Sequence, residues 1–137
     1  MKIKLDEGAV MPTRAHLTDA GLDLYSREAR IISAGDSAVF DTGVHVELPP
    51  GTWGKLESKS GMNVNDDVVS CGGTIDEGYT GSIRVKLYNL GKKPYTVYKN
   101  QKIVQLVIMP YIAPELEEAG ALGKTERGNK GFGSSGR

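Results

Sequence analysis

Apolar and polar side chains alternate in short runs along the chain as far as residue 112, and turn-forming residues separate these runs. In residues 83–88, isoleucine, valine and leucine alternate with arginine, lysine and tyrosine. A period of two is typical of a β-strand with one buried face. Similar runs predict strands at residues 2–5, 22–25, 29–32, 37–40, 44–48, 52–57, 68–71, 74–75, 95–98 and 103–112. The last run is mostly apolar, which predicts a strand buried on both faces.

Many short strands with regular turns predict an all-β sandwich or barrel. Helical periodicity is weak, and a turn of helix is expected only near residues 62–65 or within 113–122. After residue 122 the chain is rich in glycine, serine and charge, and Phe132 is its one large apolar side chain. Such a segment cannot bury enough surface to fold alone. We therefore expect a β core at residues 1–122 and a flexible arm at 123–137.

Composition excludes several classes of partner. Lysine and arginine balance aspartate and glutamate at 17 each, so no global basic field attracts nucleic acid or an anionic membrane. Cys71 is the only cysteine, which excludes an internal disulfide and fits a reducing compartment; a small buried hydrophobe is its more common role. No apolar run approaches the roughly 18 residues of a membrane span, and the N-terminus lacks a signal peptide. A soluble cytoplasmic protein is expected.

Asp76 lies in a glycine-rich turn between the β patterns at residues 74–75 and 83–88. Glycines at this turn allow backbone conformations and close approaches that a Cβ would prevent. A carboxylate in such a turn, with Tyr79 three residues later, leaves room for a flat ligand. The alternative is a plain hairpin turn, since aspartate and glycine are ordinary turn residues.

Two polar clusters contain the donors that a polyphosphate requires. The candidates are Lys59, Ser60 and Gly61 in one cluster and Arg127, Ser134 and Ser135 in the other. Each cluster has a plainer alternative, a solvated loop for the first and a disordered tail for the second. Gln105 interrupts the apolar run of the last strand, and a buried carboxamide there needs polar partners. Asp23 also interrupts an apolar pattern, as a candidate structural acceptor.

The two histidines are isolated. His45 alternates with Val44 and Val46, so we expect its side chain to face solvent. No cysteine or carboxylate stands at ligand spacing, so a protein-built zinc site and a histidine-activated nucleophile are not expected. Trp53 follows a Pro-Pro-Gly-Thr turn and is interpreted as a packing residue.

Five sequence blocks carry a family resemblance, in order and nearly from end to end. They are AGLDLYS at 20–26, SKSGM at 58–62, GGTIDEGYTG at 72–81, QKIVQL at 101–106 and RGNKGFGSSG at 127–136. On these blocks the chain resembles the trimeric deoxyuridine triphosphate nucleotidohydrolases (dUTPases). The resemblance implies a jelly-roll-like distorted β-barrel that forms a homotrimer, with three active sites at subunit junctions. It also implies hydrolysis of dUTP to dUMP and pyrophosphate with Mg²⁺ on the triphosphate, which lowers dUTP and supplies dUMP for thymidylate synthesis.

The resemblance also implies a role for each candidate residue. Asp76 would be the general base for the water that attacks the α-phosphorus, and Asp23 would be a structural support. Tyr79 would lie against the deoxyribose, and Phe132, framed by Gly133, would stack on the uracil. The backbone that would read the uracil edge is that of Cys71, Gly72, Gly73 and Thr74. The groups that would hold phosphates are those of Lys59, Ser60, Gly61, Gln105, Arg127, Ser134 and Ser135.

Some positions depart from the family pattern. Lys59 and Lys102 stand where arginine is usual or common, and Asn100 and Lys130 stand where glycine is common. Loss of the guanidinium fork at residue 59 is expected to weaken phosphate orientation. None of these changes removes a group that the reaction requires.

Two other readings remain. A dCTP deaminase shares the fold, but it carries a catalytic glutamate where this chain has Lys86, which cannot serve as that carboxylate. A non-catalytic nucleotide-binding or regulatory module on the same scaffold would be expected to lack Asp76 or the arm, and both are present.

Overall fold

The computed structural model describes residues 1–71 and 73–131. Over these residues the chain is almost entirely β, with one short helix, so the all-β prediction is confirmed. The strands are β1 (Lys2–Leu5), β2 (Gly21–Tyr25), β3 (Arg30–Ile32), β4 (Ser37–Asp41), β5 (Val44–Glu47), β6 (Thr52–Ser58), β7 (Val68–Ser70), β8 (Thr74–Ile75), β9 (Arg84–Asn89), β10 (Tyr95–Val97) and β11 (Lys102–Pro110). The helix α1 (Ser60–Asp66) contains the helical turn expected at 62–65, whereas the alternative at 113–122 is wrong because that segment forms no helix.

The strands form four small sheets in a jelly-roll-like arrangement. Their orders are β2-β11-β6-β8, β4-β9-β7, β1-β5 and β10-β3, and every pair is antiparallel. Buried side chains from the strands form one core cluster, in which Leu24, Phe40 and Leu106 have no exposed surface. The alternation that predicted β9 is confirmed, because Val85 and Leu87 are buried while Arg84, Lys86 and Tyr88 are not.

The glycine-rich turn does not close a hairpin, so that prediction is wrong. Strand β8 pairs with β6, whereas β9 pairs with β4 and β7, and the turn therefore passes from one sheet to another. Ile75 explains the pairing of β8, since its buried side chain packs over Gly54. A Cβ at Gly54 would lie 3.2 Å from the Ile75 Cβ and 2.7 Å from Leu106 Cδ1, which leaves no room for a larger residue.

Strand β11 is buried only in its first half. Ile103, Val104 and Leu106 are buried, but Val107 and Ile108 are half-buried and Met109 is exposed. Pairing with β2 ends at Val107, after which only β6 borders the strand. The expected burial on both faces is thus wrong for the second half, and residues 111–131 are exposed without helix or strand.

Two further expectations are wrong. Cys71 is exposed and not a buried hydrophobe, because β7 ends one residue earlier at Ser70. His45 does not face solvent, since its side chain is 19% exposed and contacts two other segments.

Across residues 1–71 and 73–131, none of the helical segments has the length and apolar character needed to span a membrane.

Candidate active site

The turn that carries Asp76 is shaped by its own backbone. Tyr79 donates its N–H to the Asp76 carbonyl at 3.0 Å, which closes the turn after β8. The Tyr79 hydroxyl donates to the Ser82 carbonyl at 3.0 Å, and the ring folds back over Gly81. A Cβ at Gly81 would lie 2.5 Å from the Tyr79 hydroxyl oxygen, so only glycine permits this approach. The turn leaves the Asp76 side chain exposed.

A shallow depression surrounds Asp76, and we call it the Asp76 depression. Its lining is Trp53, Thr74, Asp76, Glu77, Gly78 and Tyr111. Glu77 accepts hydrogen bonds from the Tyr111 hydroxyl at 2.7 Å and the Gly51 N–H at 2.9 Å. These two bonds, the Tyr111 bond first, lower the pKa of Glu77 below its ordinary value. Glu77 is therefore held as a structural carboxylate beside Asp76.

The backbone before Asp76 approaches β6 closely. Leu56 donates its N–H to the Gly73 carbonyl at 2.9 Å. Gly73 has a φ of 111°, and a Cβ there would lie 2.7–2.9 Å from the Leu56 side chain. Cys71 and Thr74 on either side are exposed. Cys71, Gly73 and Thr74 of the predicted uracil-reading segment thus lie at the surface, and Gly72 lies outside the described residues.

A second depression is lined by Lys59 and Gln105, two of the predicted phosphate residues, and we call it the Lys59 depression. Its polar lining includes Asp19, Gly21, Asp23, Glu57, Lys59 and Gln105. Strand register explains the grouping, because Gln105 on β11 stands between Asp23 on β2 and Glu57 on β6. Gln105 is half-buried rather than buried, and its carboxamide lies over Gly21, where a Cβ would collide with it. Glycine at residue 21 therefore makes space for the amide.

Asp23 joins two lysines. Its side chain is 7% exposed, and its carboxylate oxygens lie 2.5 Å from Lys59 Nζ and 2.8 Å from Lys102 Nζ. Burial by itself would raise the pKa of Asp23, but the hydrogen bonds and charges of Lys102 and Lys59 outweigh it, so the pKa lies below its ordinary value of 3.8. The same contact raises the pKa of Lys102. The two ammonium groups share one carboxylate, so these three side chains carry a net positive charge, while Asp19 and Glu57 add two carboxylates to the lining of the depression.

Ser60 and Gly61 begin α1 next to Lys59. Both are exposed, and open space surrounds the position that a Gly61 Cβ would occupy. Arg127 is exposed and its Nε donates to the Lys130 carbonyl at 3.1 Å. The structure therefore shows a local turn at Arg127 but no contact with either depression. Phe132, Gly133, Ser134 and Ser135 lie outside the described residues.

Sequence reasoning missed several residues of these depressions. Lys102 was noted only as a departure from a pattern, yet it shares Asp23 with Lys59. Glu77 and Tyr111 were not identified at all, and Trp53, interpreted as packing, lines the depression beside Asp76. In the sequence, the one feature that could have pointed to Lys102 is its place at the start of an apolar strand pattern. Its partner Asp23 is revealed only by the pairing of β11 with β2.

One chain does not bring all the candidates together. Thr74 and Asp76 line the Asp76 depression, whereas Asp23, Lys59 and Gln105 line the Lys59 depression. Among the residues described here the two depressions share no lining side chain. The exposed Asp76 and the ion-pair cluster of Asp23, Lys59 and Lys102 thus occupy separate parts of the surface of one chain.

These features define an almost all-β protein whose candidate site residues lie in two separate depressions. The family model for dUTPase matches residues 7–136, which is nearly the whole chain. The chain belongs to the dUTPase family, as its sequence blocks predicted.

Curated relatives match this chain over nearly their whole length. The deoxyuridine 5'-triphosphate nucleotidohydrolase of Clostridium acetobutylicum is 44% identical over 135 residues, covering 97% of this chain and 93% of that protein. The enzyme of the same name from Crocosphaera subtropica is 43% identical over 136 residues, covering 98% of this chain and 96% of that protein.

Solved structures share the fold. The Staphylococcus bacteriophage 80alpha dUTPase with dUpNHpp superposes with a TM-score of 0.89 at 33% identity, covering 99% of this chain and 98% of that one. A mutant dUTPase from phage phi11 of S. aureus, described with a structural Mg(II) ion, has a TM-score of 0.82 at 30% identity and covers 88% of this chain and 96% of that one.

Proposed function

We propose that this chain hydrolyses dUTP to dUMP and pyrophosphate. The observation that carries the proposal is the exposed carboxylate of Asp76 on its turn, in a chain whose match to the dUTPase family runs nearly from end to end. The reaction would lower dUTP and supply dUMP for thymidylate synthesis. The proposal includes a cytoplasmic location, in keeping with a single cysteine.

Asp76 is the general base in this proposal. Its carboxylate takes a proton from a water molecule near the α-phosphorus. The water oxygen forms its bond to phosphorus on the side opposite the departing pyrophosphate. Phosphate oxygens repel an incoming nucleophile, so charge neutralisation and positioning supply most of the rate. Glu77 cannot replace Asp76, since Tyr111 and Gly51 hold it at the edge of the depression.

Substrate binding uses both depressions. Lys59 and Lys102 offer ammonium charge, and Ser60, Gly61 and Gln105 offer neutral donors to the triphosphate. The peptide edge at residues 71–74 reads the uracil, and Tyr79 lies against the deoxyribose. From the arm, Phe132 stacks on the base while Arg127, Ser134 and Ser135 close over the phosphates, with Gly133 giving the chain room to turn. A base stacked on an aromatic ring contributes roughly 1–3 kcal/mol, enough to favour closure when substrate is bound.

Magnesium fits this donor set as an ion carried by the substrate. Mg²⁺ prefers phosphate oxygens and water to a cage of protein side chains. The part of the chain that the structure describes places no group of three or more His, Cys, Asp or Glu side chains to hold a metal. Bound to the triphosphate, the ion would neutralise phosphate charge, and the side chains named above would orient the phosphates around it.

The divided site supports a homotrimer. If the Asp76 depression of one subunit faces the Lys59 depression of another, the acid and the phosphate donors meet in a single pocket at the junction. A closed threefold assembly repeats this junction three times. The arm of residues 123–137 then closes over a site that other subunits build.

Pyrophosphate release with dUTP, dCTP, dTTP and UTP in the presence of Mg²⁺ tests the proposal. We expect rapid turnover of dUTP alone. Equal turnover of dTTP or UTP would contradict the base and sugar discrimination. Ammonia release from dCTP would support a deaminase, which Lys86 on the exposed face of β9 disfavours. Tight dUTP binding without turnover would indicate a non-catalytic nucleotide-binding or regulatory module.

A further inference from the structure

His45 connects two segments that lie far apart in the sequence. Its Nε2 lies 3.1 Å from Asp6 Oδ1, just after β1, and its Nδ1 lies 2.8 Å from the Thr80 carbonyl oxygen in the Asp76 turn. The side chain is 19% exposed, between the buried Val44 and Val46 on β5. We call this arrangement of Asp6, His45 and Thr80 the His45 bridge.

Both partners of the imidazole are acceptors. A carboxylate oxygen and a carbonyl oxygen have no proton to give, and a neutral imidazole carries only one N–H. Both contacts are therefore hydrogen bonds only when the ring carries a proton on each nitrogen. The bond to Thr80 in every case requires a proton on Nδ1, because the carbonyl oxygen can only accept.

The Asp6 end of the bridge is fixed to the β framework. Asp6 donates its N–H to the Gly43 carbonyl at 2.9 Å, and Arg27 NH1 lies 3.8 Å from Asp6 Oδ2. On the other side of His45, Ile83 just before β9 donates its N–H to the Val44 carbonyl at 2.9 Å, which joins the residue after the turn to β5. The bridge therefore extends from a fixed support to an otherwise exposed turn.

The Thr80 end of the bridge lies next to Tyr79. Tyr79 is 42% exposed, and its hydroxyl bonds to Ser82 within the same turn. Glu77 and Ser82 hold the two ends of this turn, since Glu77 accepts hydrogen bonds from Gly51 and Tyr111 and the Ser82 hydroxyl bonds to Asp41 on β4. The His45–Thr80 bond adds a contact from β5 in the middle of the turn, next to Tyr79.

We propose that His45 is a positioning residue that holds Thr80, and through it Tyr79, in the orientation that selects the sugar of the nucleotide. This inference rests on the proposed function, in which Tyr79 lies against the deoxyribose. It adds a selectivity-determining residue that touches no substrate. His45 acts on the turn through one carbonyl.

The test compares three variants of the full-length protein. His45→Phe keeps a ring of similar shape and removes both donors. Asp6→Asn lets the amide donate to Nε2 of a neutral ring, which leaves Nδ1–H for Thr80 and preserves the bridge. Glu47→Gln is the matched control, because Glu47 lies two residues from His45 on β5 and, within residues 1–71 and 73–131, pairs only with the exposed Lys2.

The kinetic readout is kcat and KM for dUTP and UTP. We expect His45→Phe to raise the KM for dUTP and to lower the dUTP-over-UTP ratio of kcat/KM by about fivefold to tenfold, the effect of losing one hydrogen bond. The kcat for dUTP should change less than about twofold, because Asp76 is untouched. Asp6→Asn and Glu47→Gln should keep the wild-type selectivity.

Hydrogen exchange of the peptide at residues 76–83 gives a readout without catalysis. We expect faster exchange in His45→Phe and wild-type exchange in Asp6→Asn and Glu47→Gln. Unchanged selectivity and exchange in His45→Phe, or the same losses in Glu47→Gln, would overturn the inference. If His45→Phe does not fold, His45→Leu, which also lacks both donors, is measured by the same criteria. If no form of the protein hydrolyses dUTP, the proposed function fails, and the exchange data alone decide whether the bridge holds the turn.

Discussion

Lys59 and Asp23 form a close ion pair, with 2.5 Å between Nζ and Oδ1, at the edge of the depression that we assign to phosphate binding. The ammonium group of Lys59 is therefore not free to swing toward a ligand without weakening this contact. Lys102 on the other carboxylate oxygen, at 2.8 Å, keeps Asp23 neutralised when Lys59 moves. The arrangement allows Lys59 to turn to a phosphate without leaving a buried charge alone.

The first prediction concerns the stability contributed by Asp23. We expect Asp23→Asn to lower the free energy of unfolding at pH 7 by about 2 kcal/mol, less than the roughly 3–5 kcal/mol of a fully buried pair. The loss is smaller because the Lys59 and Lys102 side chains are 23% and 41% exposed, so water screens them. Urea denaturation of both proteins measures the difference.

The pH dependence of this difference follows from the lowered pKa of Asp23. The folded-state pKa lies below the ordinary value of 3.8, so the stabilisation is complete above that value and is lost as the pH falls through the folded-state pKa. The difference between wild type and Asp23→Asn should be constant from about pH 5 to 7 and should shrink below about pH 4. A difference that grows on acidification would contradict the assignment.

The strands could be predicted because each has one buried face. Ile83, Val85 and Leu87 enter the core, and their period of two is visible in the sequence. The sequence contains no comparable pattern that shows which strands pair with each other. Nothing in the composition of residues 74–75 shows that they pair with β6 and not with β9, since that choice depends on the space above Gly54.

Site residues were predictable where their chemistry was unusual for their surroundings. Asp76 among glycines and Gln105 in an apolar strand are examples, and the structure places each in a depression. Lys102 and His45 were not predictable, because a lysine at a strand end and a histidine in an alternating strand have ordinary explanations. Their partners Asp23 and Thr80 come close only through strand pairing and the path of the turn.

A second prediction tests Asp76 as the base. We expect Asp76→Asn to keep dUTP binding and assembly while kcat falls at least about 100-fold, since an amide cannot accept the proton of water. Glu77→Gln is the matched control on the same turn, and it should keep kcat within about threefold because Glu77 is already bonded to Tyr111 and Gly51. Steady-state kinetics and calorimetric titration with a non-hydrolysable dUTP analogue measure both. Near-normal turnover of Asp76→Asn would mean that another group is the base.

A third prediction concerns the arm. Removing all residues after Thr125 should leave the β core folded and reduce kcat/KM for dUTP by at least about 100-fold, because the stacking ring and several phosphate donors are lost together. Phe132→Ala alone should produce part of this loss, through KM more than through kcat. Circular dichroism and dUTP kinetics on the same samples separate folding from activity. Normal activity of the shortened chain would show that residues 126–137 have no role in dUTP hydrolysis.

The fourth prediction tests whether the two depressions meet across subunits. Asp76→Asn alone and Lys59→Gln/Ser60→Ala alone should each be nearly inactive, since each removes one side of the site. If each site takes Asp76 from one subunit and Lys59 from another, random co-assembly of the two variants in equal amounts gives both intact sides at about one quarter of the sites. Every doubly tagged trimer contains both variants and has both intact sides at one of its three junctions, so we expect these trimers to recover about one third of the wild-type kcat.

The control for this recovery is Asp76→Asn co-expressed with differently tagged Asp76→Asn, which should stay inactive. Separately purified variants mixed after folding should also stay inactive if the trimers do not exchange subunits. An absence of recovery in doubly tagged trimers would mean that Asp76 and Lys59 act within one chain. The subunit would then have to rearrange to join the depressions, because the lining of the Asp76 depression and that of the Lys59 depression have no described residue in common.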